Sequence, residues 1–136
     1  MSIESIFGIA TSALDAQSQR ITLIAQNLAN ANSVDSADGG PYQRRIPVFE
    51  AQAVGEENTA GLGVKMAAVL HDQTPARQVY DPASPFADAS GMVNESSVNP
   101  IYEMVDMMQA SRSYQANLSM VETARTAALK TIDLLK

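Results

Sequence analysis

The sequence predicts a mainly α fold with a small β part: long N- and C-terminal helices paired as a coiled coil, and a short segment of β-hairpin and loop between them. Three observations predict it. Ile3, Phe7, Ala10, Leu14, Gln17, Ile21, Ile24, Leu28 and Ala31 recur at alternating steps of four and three, a heptad seam with Gln17 as its one polar member. Met104, Met107, Ser111, Tyr114, Leu118, Val121, Arg125, Ala128, Ile132 and Leu135 repeat that alternation at the other end, broken only by Ser111 and Arg125. Between them lie turn-rich stretches and short alternating runs, too little for a large core.

Taken in order, the chain divides into an N-terminal helix over 1–33, a middle segment over 34–97 and a C-terminal helix over 98–136, the two ends together forming one axial domain. The first helix carries only Glu4, Asp15 and Arg20 as charges; its remaining polar positions are mostly amides and small residues. A solvated helix normally uses more charge, so more than one face of this one is expected to be covered. Thirty helical residues would span roughly 45 Å. Its end is expected near Asn30-Ala31-Asn32-Ser33, since Asn tolerates a left-handed cap. Asp38-Gly39-Gly40-Pro41 marks a turn. Strands are expected over Ile46–Val54, where Pro47 demands an edge, over Gly63–Leu70 with Val64, Met66, Ala68 and Leu70 on one face, and over Arg77–Tyr80. Gly55 to Gly61 would connect the first two, and Asp81 to Asn99 reads as an irregular linker. Asn99-Pro100 then gives an N-cap and a first-turn proline, opening a helix with no breaker inside it.

The chain has 136 residues, no Cys and a net charge of −6. Nucleic acid is not an expected partner, because Arg44-Arg45 is the only adjacent basic pair. Without Cys there is no thiolate nucleophile, disulfide or Cys-ligated zinc. The acidic Met1-Ser2-Ile3-Glu4 start does not fit a cleavable secretion signal, and the charge-free run from Ile21 to Val34 is too short and too rich in amides to cross a bilayer, so direct membrane insertion is not expected. Aromatic residues are 5% of the chain and Trp is absent, which implies a thin core.

No catalytic, cofactor or metal constellation is expected. His71-Asp72 reads as a surface pair at a strand end, Asp35, Asp81 and Asp88 lack calcium-loop spacing, and Gly61-Leu62-Gly63 does not open a helix as a phosphate loop must. A small-molecule substrate is likewise not expected. The charge-poor helix favours lateral and axial packing with further copies over a solitary helical hairpin.

Two strings then carry a resemblance. Ser12-Ala13-Leu14-Asp15-Ala16-Gln17-Ser18-Gln19-Arg20 with Ile24-Ala25-Gln26-Asn27-Leu28-Ala29-Asn30-Ala31-Asn32 resembles the N-terminal signature of the flagella basal body rod protein family, the bacterial rod, hook and related axial proteins. Val98-Asn99-Pro100 with Glu103-Met104-Val105-Asp106-Met107-Met108-Gln109-Ala110-Ser111-Arg112-Ser113-Tyr114-Gln115-Ala116-Asn117 is similar to its C-terminal signature. Gly39-Gly40-Pro41-Tyr42, Gly63-Val64-Lys65 and Val79-Tyr80-Asp81-Pro82 resemble a proximal-rod member. The resemblance implies a torque-carrying structural subunit of a shaft that crosses the periplasm, exported by the flagellar type III apparatus without a cleaved signal. Its implied partners are copies of itself, proximal and distal rod subunits and the base adaptor of the rod. The terminal seams would be its interfaces, with Asn27, Asn30, Asn32, Arg112, Gln115 and Asn117 as polar packing residues. The alternatives are a soluble coiled-coil adaptor, or a distal-rod or hook-type axial subunit.

Overall fold

A computed structural model of the chain describes residues 3–34, 39–55 and 61–134. The elements run α1 (Ile3–Ala29), β1 (Arg45–Val54), β2 (Gly61–His71), β3 (Arg77–Tyr80), β4 (Met92–Glu95) and α2 (Pro100–Asp133). Two long terminal helices are thus in contact, with two small antiparallel hairpins between them. Two compact units divide the chain: Met1–Ile21, Pro47–Ala68 and Met108–Lys136 form the first, and Thr22–Ile46 and Val69–Met107 the second.

In the first unit the hairpin lies directly against α1, and small residues make that approach possible. A Cβ added at Gly63 would sit 2.5 Å from Ser12 Oγ and 2.6 Å from Val54 Cγ2, and one at Gly61 would collide with Ile9 Cδ1. Both glycines are buried. Ser12 Oγ donates to Ile9 O (2.7 Å) and accepts from the Val64 amide (3.1 Å), so a helix side chain satisfies a strand donor. The expected covering of more than one face of α1 therefore has a local source here. Along β2 the expected alternation holds only in part. Val64 and Met66 are half-buried, but Ala68 and Leu70 are exposed and Val69 is half-buried in their place. In a two-stranded ribbon both strands are edges, which is why Pro47 is tolerated within β1.

In the second unit β3 and β4 pair antiparallel from Arg77↔Glu95 to Tyr80↔Met92, and Val34 bridges to Glu95. The stretch expected as an irregular linker thus contains a strand and a built turn. Asp88 Oδ1 accepts from the Ser90 amide (2.8 Å), Ser90 Oγ (2.7 Å) and the Met92 amide (2.9 Å). Gly91 closes the turn at φ +77°, a conformation L side chains rarely adopt. These bonds hold the Asp88 carboxyl below its ordinary range, the Met92 amide most of all. Leu23, Ile24, Ala31, Val93 and Val98 are the buried apolar residues of this unit. Ser96 is buried beside them, its amide donating to Ser33 O (2.9 Å) and its hydroxyl to Tyr42 O (2.8 Å).

The helix ends fall where expected, but α1 lacks the expected left-handed Asn cap, since no described residue other than glycine has a positive φ. α1 stops at Ala29 and closes with a bond from the Ser33 amide to Asn30 O (3.1 Å). Asn99 caps α2, its Oδ1 accepting from the Ile101 amide at 3.0 Å, with Pro100 as the first helical residue. The expected connection through residues 56–60 lies outside the described residues, as do Asp35 and Asp38. Among the described residues the buried apolar side chains include Ala10, Ala16, Ala31 and Ala110 and no aromatic.

Candidate assembly surface

A buried polar network in the second unit joins the end of α1, the segment before β1 and the first turns of α2. Asn27 is 1% exposed and uses all four of its hydrogen-bonding sites. Its Nδ2 donates to Arg45 O (2.9 Å) and Glu103 Oε2 (3.0 Å); its Oδ1 accepts from Tyr42 OH (2.9 Å) and the Arg45 amide (2.9 Å). The Glu103 side chain is 1% exposed, and its second oxygen takes a short bond from Arg44 Nε. Arg44 also reaches Asp106 Oδ2 with Nη2 (3.0 Å), so one guanidinium bridges two carboxylates. Burial alone would lower the Arg44 pKa, but its bond to Glu103 and the charges of Glu103, Asp106 and Asp72 outweigh it and raise the value. Burial raises Tyr42, partly opposed by Arg45, whose guanidinium lies 5.7 Å from the Tyr42 ring. Arg44-Arg45 is therefore a structural pair, each arginine held by a different partner.

The α1 seam residues take varied positions. Ala10, Ile24 and Ala31 are buried, while Phe7, Leu14, Gln17, Ile21 and Leu28 are half-buried; the side chain of Ile3 lies outside the described set. Gln17 Oε1 is buried and accepts no hydrogen bond. Ser5, Ala16, Leu23 and Asn27 are also buried, off the heptad phase. The exposed face carries Glu4, Thr11, Asp15, Ser18, Thr22, Ala25 and Ala29. Of the polar packing residues, Asn27 serves inside the chain, Asn30 bonds locally to Gln26 O (2.8 Å) and is half-buried like Asn117, and Asn32, Arg112 and Gln115 are exposed.

On α2 the covered stripe runs one residue behind the expected seam at alternate steps. Met107, Ser111, Tyr114, Val121 and Ala128 are half-buried as seam members, with Ala110 buried beside Ser111, while Glu103, Asn117 and Ala124 are covered where Met104, Leu118 and Arg125 were expected. Of the two breaks in that seam, Ser111 lies within the covered stripe and Arg125 lies outside it. Of the seam members left uncovered, three are apolar, Met104 at 47%, Leu118 at 43% and Ile132 at 55% exposure, and Arg125 is the fourth; Ile101, Val105, Met108 and Leu129 are exposed on the same helix. Leu135 lies outside the described residues. Scattered exposed leucines are ordinary; this many large apolar side chains exposed along one helix are not.

His71 is exposed, at the rim of an open groove of about 580 Å³ in the second unit, and its carbonyl accepts from Gln73 Nε2. The Asp72 carboxylate turns to Thr74, accepting from its hydroxyl (2.8 Å) and amide (3.0 Å). Among the described residues no three His, Cys, Asp or Glu side chains converge as metal ligands, and no helix is long and apolar enough to cross a membrane.

Residues 89–134 match the family described as Flagellar basal body rod FlgEFG protein C-terminal. The chain is 46% identical over 134 residues to the Flagellar basal-body rod protein FlgC of Salmonella typhimurium, covering 98% of each chain. It is 47% identical over 134 residues to the protein of that name from Escherichia coli O6:H1, and 41% identical over 136 residues to that from Buchnera aphidicola of Acyrthosiphon pisum, again over 98% of each.

Proposed function

The chain belongs to the family of flagellar basal-body rod proteins FlgC, and from that premise we propose that it is a subunit of the proximal rod, carrying motor torque across the periplasm. As a rod protein it is structural and not an enzyme. The observation that supports the reading best is similarity along nearly the entire chain, joined to the many apolar side chains of α2 that the chain itself leaves open. A shaft resists torsion through close packing of long elements, and an exposed apolar stripe is the surface such packing consumes.

In this reading 1–33 and 98–136 act as one axial domain. The seams from Ile3 to Ala31 and from Met104 to Leu135 then divide their labour. Residues covered here hold the subunit together; Met104, Leu118 and Ile132 meet neighbouring rod subunits, including copies of this chain and the base adaptor of the rod. Asn32, Arg112 and Gln115, exposed here, supply polar contacts in those interfaces. Delivery runs through the flagellar type III export apparatus.

Leu118→Asp tests the proposal. Leu118 is only half-covered, so the isolated chain should keep its stability to within about 1 kcal/mol. In a lattice of subunits the same charge would be buried without a partner, at a cost of several kcal/mol. Cells with this variant as their sole copy should therefore lack complete rods and fail to swim. Normal basal bodies in electron micrographs would overturn the assignment of this face to assembly.

A further inference from the structure

Resting on the rod reading, we propose that copies of this chain join head to tail. The C-terminal part of α2 from one copy would occupy the recess formed in the next by Arg44, Asp72, Tyr102, Val105 and Asp106. That recess, about 560 Å³, lies wholly within the second unit. Its charges do not balance. Arg44 is the single cation among Glu103, Asp106 and Asp72, and it is already committed to the first two. The Asp72 carboxylate accepts hydrogen bonds from the Thr74 hydroxyl and amide and feels Arg44 only at longer range. Around this negative excess stand exposed apolar groups, Tyr102 at 69% and Val105 at 50% exposure.

An occupant must bring a cation and apolar side chains on one narrow element. A wholly apolar segment would desolvate the carboxylates without compensation, and an acidic one would be repelled. The end of α2 has the required pattern. Arg125, Leu129 and Ile132 follow at steps of four and three on one exposed face, and Arg125 forms no salt bridge among the described residues. Recess and tail are different surfaces, so every copy carries one of each to offer to other copies.

Charge exchange tests this. The full-length chain, Arg125→Glu and Asp72→Lys are each followed by sedimentation velocity over a concentration series, with circular dichroism as the control for folding. The parent should associate as concentration rises, and each variant alone should need at least tenfold more protein to do so. An equimolar mixture should recover association, because opposite charges then face each other at both kinds of junction. The acidic tail of the Arg125→Glu chain meets the basic recess of the Asp72→Lys chain, while the unaltered Arg125 of the second chain meets the unaltered Asp72 of the first. A parent that stays monomeric, a single variant that associates like the parent, or a mixture that stays apart would each overturn the head-to-tail contact. In the last case the recess belongs to a different rod subunit. Recovery of the tagged parent chain in purified basal bodies tests the rod reading separately: presence there with a failed mixture removes only the head-to-tail contact.

Discussion

Removing the Arg44 side chain is the most informative single perturbation of this fold. Arg44→Met would leave the Glu103 carboxylate, 1% exposed, with Asn27 Nδ2 at 3.0 Å as its remaining side-chain partner. Breaking a buried ion pair from one side costs about 3–5 kcal/mol, because the surviving charge keeps its desolvation penalty. Arg44 is itself 30% exposed, so water can reach the vacated edge and the lower end, about 3 kcal/mol, is expected. The lost bond to Asp106, itself 32% exposed, adds at most about 0.5 kcal/mol. Deleting both charges is another matter. Arg44→Met with Glu103→Leu should cost much less than the sum of the single changes, with a coupling of about 2 kcal/mol or more. Urea denaturation followed by circular dichroism measures the overall loss. Since two compact units do not guarantee one cooperative transition, hydrogen exchange at the Arg45 amide, bonded to Asn27 Oδ1, reports the site itself. An Arg44→Met chain within about 1 kcal/mol of the parent, with that amide equally protected, would refute the claim that the pair holds this junction.

Three further outcomes are expected. Gly63→Val should destabilise the first unit by about 1–3 kcal/mol, since its Cβ would lie 2.5 Å from Ser12 Oγ, and exchange at the Val64 amide should accelerate. The Asp72 carboxyl is held below its ordinary pKa first by the Thr74 hydroxyl and then by the Thr74 amide. A depressed folded pKa means that its contribution is present above the unfolded value and is lost as pH falls through the folded one; Thr74→Val should move the Asp72 midpoint upward in a carbon-detected NMR titration, and an unchanged midpoint would remove the hydroxyl as its cause. His71→Ala should leave swimming unchanged in soft agar, because His71 is exposed and its imidazole has no bonded partner among the described contacts; lost motility would point to a role for that residue.

The long helices were legible because their signals are local. Asn99-Pro100 fixes the start of α2 through a cap two residues long, and β3 spans Arg77–Tyr80 as its flanking prolines suggest. The phase of the C-terminal seam was less so. A heptad template accepts Ser111 and Arg125 as flaws, whereas the fold covers Ser111 along with Ala110 and then Asn117 and Ala124 in place of Leu118 and Arg125. The strand β4 escaped notice because four residues after a glycine carry little pattern; its existence depends on pairing with β3. Hardest to foresee was the network. Glu103 stood in the sequence only as part of the C-terminal string, and Arg44-Arg45 as the only adjacent basic pair. A separation of 59 residues between Arg44 and Glu103 hides their contact from any local reading. The available hint was that isolated arginine pair in a chain otherwise rich in acid, since a cation away from a basic patch often answers a particular carboxylate.

Asn27 has a mechanical consequence. Every hydrogen-bonding valence of its amide is filled from two other stretches of chain, so withdrawing either one strands polar atoms on the side that stays. Half-released arrangements are then costlier than the seated one and gain little of the freedom of the open one. Under twisting load such a joint does not creep: it holds its shape to a threshold and then lets go at once, which is the behaviour wanted of a keystone in something that spins.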